Sequence, residues 1–202
     1  MKFVINGGKN LSGEITLSGA KNAATKMMIA SLLTEEPSTL ENCPNIGDVE
    51  ITAELCRKLG SLVERHGSTL KIHTPKIEST KVLTLSRRNR IPILGLGPLL
   101  TRAHEAQIPV LGGDQIGSRP VDMHLEALRA MGAEISNDDH HFFAKAAHGL
   151  HGAHIVLRYP SVMATENIII AATLAQGRTL IENAAKEPEI LDLVAYLQKM
   201  GA

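Results

Sequence analysis

The chain has 202 residues, enough for one large domain or two small ones and enough to bury a substantial core. At 44% hydrophobic and 21% charged it reads as globular, not disordered. Its 21 basic and 21 acidic residues balance to zero, and its aromatics are three Phe and two Tyr, so neither a global basic field nor a stacking platform for nucleic acid is present.

Taken in chain order, Glu14-Ile15-Thr16-Leu17 predicts a strand broken by Ser18-Gly19, and Ala20-Lys21-Asn22 opens an apolar helix through Leu33. Ser61–Arg65 and Leu70–His73 predict a hairpin turned at His66-Gly67-Ser68. Arg87-Arg88-Asn89-Arg90 forms a cationic elbow before Ile91-Pro92, after which a helix can resume. Next comes Gly112-Gly113-Asp114-Gln115-Ile116-Gly117-Ser118-Arg119, whose glycines predict a mobile or sharply bent loop. Pro120 suits a first helical position and Asp122 a first turn. A second hairpin is predicted from Ala133–Ile135 to His141–Phe143, with Asn137-Asp138-Asp139 as its turn.

These elements repeat. Helical segments end alike at Lys58-Leu59-Gly60, Ala130-Met131-Gly132 and Lys199-Met200-Gly201. Apolar or near-apolar stripes precede them at 49/52/56/59, at Val121, Leu125, Leu128 and Met131, and at 190/193/197/200. Ala30-Ser31-Leu32-Leu33 with Thr39-Leu40-Glu41-Asn42 is echoed by Ala171-Ala172-Thr173-Leu174 with Leu180-Ile181-Glu182-Asn183. The period is about 70 residues, each unit reading strand, helix, strand, helix, hairpin. The third unit reaches Gly201-Ala202 before its hairpin, so a fragment of a longer chain is expected. A coincidence of Gly-ended helices is the competing reading.

Several segments could carry chemistry. A helix start bearing Ser18, Lys21 and Asn22 suits a phosphate or carboxylate, although it lacks the spacing of a P-loop. The bland alternative for Lys21 is a solvated helix-start residue. The arginine elbow fits a surface turn at least as well as a cleft. Asp114 and Arg119 beside a helix start could bind an anion and exchange a proton, or could be an Asx turn and a surface arginine. His148, His151 and His154 are spaced by three, but Gly149 and Gly152 break the helix that would align them, which argues against a zinc site. Cys43 and Cys56 follow no secretory apolar region, so two reduced thiols in a cytoplasmic protein are expected. No apolar run reaches the roughly 20 residues that span a bilayer.

Four segments then stand out together: Ser18-Gly19-Ala20-Lys21-Asn22-Ala23-Ala24, Leu96-Gly97-Pro98-Leu99, the Gly112–Asp122 loop, and Glu182-Asn183-Ala184-Ala185-Lys186-Glu187-Pro188-Glu189. In order and register they resemble the UDP-N-acetylglucosamine enolpyruvyl transferase family of the EPSP synthase-like superfamily, over essentially the whole chain. The resemblance implies an α/β fold, an inside-out α/β barrel of repeated βαβαββ units with pseudo-threefold symmetry, forming one lobe of a two-lobe enzyme. Residues 19–202 would be the N-terminal lobe, with the third repeat truncated, and residues 1–18 a strand segment packing with the missing C-terminal lobe.

The implied reaction moves the enolpyruvyl group of phosphoenolpyruvate onto the 3′-hydroxyl of UDP-N-acetylglucosamine, without cofactor, metal, membrane or nucleic acid. It implies catalytic roles for Asp114, Lys21 and Arg119, with Arg90 beside the anionic substrate and Asn22 nearby. Pro120, Val121, Asp122 and Ser161 would line the sugar-nucleotide side. Three positions depart from the family pattern. Asp114 stands where a cysteine is usual, Met163 where a glycine is usual, and Tyr159 where relatives carry lysine or an aromatic. Transfer to shikimate phosphate on the same fold, a catalytically idle sugar-nucleotide-binding lobe, and RNA-end chemistry are the alternatives. Neutral charge and few aromatics disfavour the last.

Overall fold

A computed structural model describes residues 2–86, 89–110 and 120–202. Residues 2–20 form no regular element, which corrects the strand expected at Glu14–Leu17: Ile15 and Leu17 are 87% and 83% exposed. A strand exists only where a paired edge satisfies its backbone groups. Among the described residues, the N-terminal segment first bonds to another element at Gly19, whose N–H donates to Asn42 O at 3.1 Å.

Regular structure begins with α1 (Lys21–Ala30), prolonged by a 3-10 turn at Ser31–Leu33. It continues through β1 (Ser38–Leu40), α2 (Gly47–Lys58) and the hairpin of β2 (Leu62–His66) and β3 (Thr69–His73). The second run has a 3-10 turn at Ile91–Gly95 leading into α3 (Leu96–Arg102), then β4 (Glu105–Pro109), α4 (Asp122–Ala130), β5 (Glu134–Asn137) and β6 (His141–Lys145). The third has β7 (His154–Val156), α5 (Val162–Ala172), β8 (Leu180–Glu182) and α6 (Pro188–Lys199).

The repetition read from sequence is present in the topology. One sheet runs β1-β3-β2 and the next β4-β6-β5, both antiparallel throughout. β7 and β8 pair in parallel across α5, and a parallel bridge from Lys81 to Gln107 in β4 repeats that relation one unit earlier. The helix ends repeat too. Gly60, Gly132 and Gly201 have φ of +109°, +97° and +103°, a region that costs a residue with a Cβ dearly. Beyond each, the next N–H reaches back to Cys56 O, Leu128 O or Leu197 O at 3.0–3.1 Å, the six-to-one bond of a Schellman end.

The stripes leading into those ends are the packing faces. Val49, Thr52, Cys56, Leu59, Met131 and Leu193 are fully buried, and Leu128 and Leu197 nearly so. α1 lies against α2 and α6, while α5 lies against α3, α4 and α6. Helices therefore form the interior. The sheets cover it, each laying one face inward through Leu70 and Ile72 or Ile108, Phe142 and Ala144. This is the inside-out barrel expected from the resemblance. α3 approaches α5 closely at Gly97, where a Cβ would sit 3.2 Å from Ala171 Cα. Arg102 ties the first two units together, donating to Leu32 O, Thr34 O and Thr74 O at 2.9–3.3 Å.

Candidate functional site

Lys21 and Asn22 occupy the first turn of α1, after Ala20 in extended conformation. Each holds a carboxylate from a distant element. Lys21 Nζ lies 2.9 Å from Asp48 Oδ2 in the first turn of α2, and Asn22 Nδ2 donates to Glu189 Oε1 at 3.0 Å in the first turn of α6. Two carboxylates thus already sit at this helix start, held by the Lys21 ammonium and the Asn22 side-chain amide.

A second group gathers around the start of α4. Pro120 is exposed and precedes the helix, and Val121 is its N-cap, so α4 begins two residues later than Pro120 suggested. Val121 packs partly against the core. Asp122 accepts from Met123 N at 3.0 Å and is ion-paired with Arg158; the Arg158 hydrogen bond holds its carboxyl below the usual range. Arg90 sits half-buried just before the Ile91–Gly95 turn. Its charge acts on His124 of α4: burial first, then Arg90, push that imidazole down to about 4, with Asp122 opposing. Ser161 is the N-cap of α5, accepting from Ala164 N at 3.4 Å. Met163 turns partly into the core, and Tyr159 is about half exposed.

Asp114 and Arg119 lie outside the described residues. The remaining expected residues fall into the two groups above, one around α1 and one around α4 and the start of α5. Histidines 148, 151 and 154 do not act together: His151 Nδ1 is bonded to Gly152 O, and His154 Nε2 lies 2.7 Å from Glu182 Oε1. Among the described residues no cluster of His, Cys, Asp and Glu could hold a metal ion, and no helix is long and apolar enough to cross a membrane.

Sequence reasoning missed the partners. Asp48, Glu189 and Arg158 carried no motif of their own, although Glu189 closes one of the quoted segments. It also missed a buried pair, Lys26 Nζ to Glu166 Oε2 at 3.4 Å, joining α1 to α5. Burial outweighs Lys26 and, helped by Glu189 and Glu187, raises the Glu166 carboxyl to about 7.

The sequence model of EPSP synthase (3-phosphoshikimate 1-carboxyvinyltransferase) matches residues 5–202. The chain belongs to the EPSP synthase family. Within that family it is 53% identical over 196 residues to the UDP-N-acetylglucosamine 1-carboxyvinyltransferase of Chlamydia pneumoniae, covering 95% of this chain and 43% of that protein. The Mycobacterium leprae protein of the same name is 46% identical over 202 residues, covering 100% of this chain and 48% of its own length. The chain therefore spans about half the length of the curated relatives it matches. The enolpyruvyl transferase NikO from Streptomyces tendae shares the fold, with a TM-score of 0.81 at 20% identity over 97% of this chain and 46% of that one.

Proposed function

We propose that this EPSP synthase-family chain is the N-terminal part of a UDP-N-acetylglucosamine 1-carboxyvinyltransferase acting in peptidoglycan synthesis in the cytoplasm. The observation that carries the reading is the helix start of α1, where Lys21 and Asn22 each already hold a carboxylate oxygen at 2.9–3.0 Å. Phosphoenolpyruvate, with one carboxylate and one phosphate, is the substrate class such a turn suits. The names of the relatives at 46–53% identity favour the sugar nucleotide over shikimate phosphate as acceptor.

On this reading Lys21, Arg90 and Arg119 surround phosphoenolpyruvate, with Asn22 nearby. Protonation of its terminal carbon creates an oxocarbenium-like centre at C2. The 3′-hydroxyl oxygen attacks there and gives up its proton; loss of phosphate together with a proton from the terminal carbon then restores the double bond. Asp114 takes the position usual for a cysteine, so its carboxyl must rise well above the ordinary carboxylate range to donate a proton. Without a thiolate there, alkylating inhibitors of the fosfomycin type find no nucleophile. Pro120, Val121, Asp122 and Ser161 face the sugar nucleotide. Residues 1–18 pack with a second lobe, residues 19–202 form the first, and this chain alone turns over negligibly.

Isothermal titration of the chain with UDP-N-acetylglucosamine and, separately, with shikimate 3-phosphate tests the acceptor. Binding of the sugar nucleotide, lost in Arg119→Ala, is the expected result. A preference for shikimate 3-phosphate overturns the choice of acceptor, and a folded chain that binds neither overturns the half-site. Phosphate release from phosphoenolpyruvate at an enzyme-like rate would refute the need for a second lobe.

A further inference from the structure

Three consecutive polar residues, Thr165, Glu166 and Asn167, lie in the middle of α5 and are 1%, 0% and 0% exposed. Burying three such groups in an otherwise apolar helix is costly unless each is partnered, and apolar residues of similar volume would pack there without that penalty. Successive helical residues diverge by about 100°, so three of them sweep about 200° and reach three separate neighbours. Thr165 Oγ1 accepts from Ala185 N at 3.0 Å, in the segment leading to Glu189. Glu166 pairs with Lys26 of α1, one helix turn beyond Lys21 and Asn22. Asn167 Nδ2 lies 3.1 Å from His124 Nδ1 in α4, two residues beyond Asp122.

Each partner therefore sits on an element that carries one part of the candidate site. We infer that Thr165-Glu166-Asn167 is a positioning triplet, one turn of α5 that separately sets the α6 approach, α1 and α4 relative to one another. None of the three is assigned a contact with substrate; they act through Ala185, Lys26 and His124. Asn167 has a further effect. By donating to Nδ1 it leaves the neutral His124 protonated on Nε2, fixing which ring nitrogen donates beside Arg90 and Asp122. The functional side of this inference rests on the enolpyruvyl-transfer reading, but its physical content does not.

The test is therefore ligand-free. Near-isosteric Thr165→Val, Glu166→Gln and Asn167→Leu chains are compared with the parent by 15N NMR. A positioning triplet predicts crossed effects: Thr165→Val shifts the Ala185 amide, Glu166→Gln the amides around Lys21–Lys26, and Asn167→Leu the two His124 ring nitrogens, each leaving the other two regions nearly unmoved. If every variant shifts all three regions alike, or none does, the triplet is ordinary core and the inference fails. Should Asn167→Leu not fold, Asn167→Asp replaces it. The new carboxylate accepts a hydrogen bond from Nδ1–H, which moves the neutral ring's proton from Nε2 to Nδ1 and raises the His124 titration by about one unit or more. An unchanged tautomer and titration in that variant overturn the inference, whatever the chain binds.

Discussion

Two buried titrating groups on neighbouring helices are set to oppose each other, and the pH dependence of stability should reveal them. Glu166 rises from 4.5 to about 7, mainly through burial, facing Lys26 from α1 and Glu187 and Glu189 from the start of α6. The folded state then holds a proton that the unfolded state has lost, so this group's contribution is full below pH 4.5 and falls as pH climbs to about 7. His124 falls from 6.5 to about 4, again through burial, with Arg90 and Asp122 as its charged neighbours. Here the unfolded state holds the extra proton, so its contribution is full above pH 6.5 and is lost as pH falls to about 4. Each corresponds to about 3 kcal/mol, with opposite slopes of up to about 1.4 kcal/mol per pH unit. Between about pH 5 and about pH 6.5 the two nearly cancel, and the parent chain should show a flat profile. Urea unfolding followed by circular dichroism across that window checks this. Removing the ion pair as Lys26→Met with Glu166→Leu should leave stability rising with pH by about 2 kcal/mol, and His124→Gln should leave it falling by about the same. Asp122, Glu54 and Asp138 are held below the carboxylate range and titrate beneath the window. A steep parent profile, or two variants with slopes of the same sign, would refute the opposition.

Replacing Arg102 by Ala strips a nearly buried donor from Leu32 O, Thr34 O and Thr74 O, and should cost about 3 kcal/mol in chemical denaturation with the slope unchanged. Cys56 is fully buried with its thiol pushed up to about 12, and burial raises Cys43 as well, so neither should react with a thiol reagent at neutral pH until urea is added, as read by mass. Asp48→Asn frees Lys21 from its ion pair, and on the proposed function phosphoenolpyruvate should bind up to about five-fold more tightly in an NMR titration; unchanged affinity would mean that the pair does not compete with substrate.

The fold was legible where its chemistry is local. Gly60, Gly132 and Gly201 mark helix ends because a left-handed residue closing a six-to-one bond needs a missing Cβ, and that requirement is written in a single position. The two hairpins were legible from local turn chemistry as well: Gly67 at φ +61° turns the first, and Asp138 turns the second by accepting from His140 N and His141 N. Glu14–Leu17 misled because alternation records which face a segment could bury. It does not record whether an edge is available to pair with, and an edge is a property of the rest of the sheet. The start of α4 was misplaced by two residues because proline fits the first helical position without requiring it.

The site divides along the same line. Lys21 and Asn22 could be read from the helix start they occupy, but their partners Asp48 and Glu189 lie 27 and 167 residues away and ordinary first-turn acids look the same. Thr165-Glu166-Asn167 was less legible still. Three polar residues before Ile168-Ile169-Ile170 look like a solvated face, because sequence pattern treats polarity as a proxy for exposure. That proxy fails in the middle of α5, where Thr165, Glu166 and Asn167 each meet a different neighbouring element. Glu166 and Asn167 are polar because of what lies opposite them, Lys26 and His124, and neither of those residues resembles a partner until the chain has folded. Those four side chains are also the groups that the experiments above replace or read. The part of this chain least visible in its sequence is thus the part that joins α1, α4 and the approach to α6 through α5, and the triplet variants and the pH profile probe that joining without any ligand.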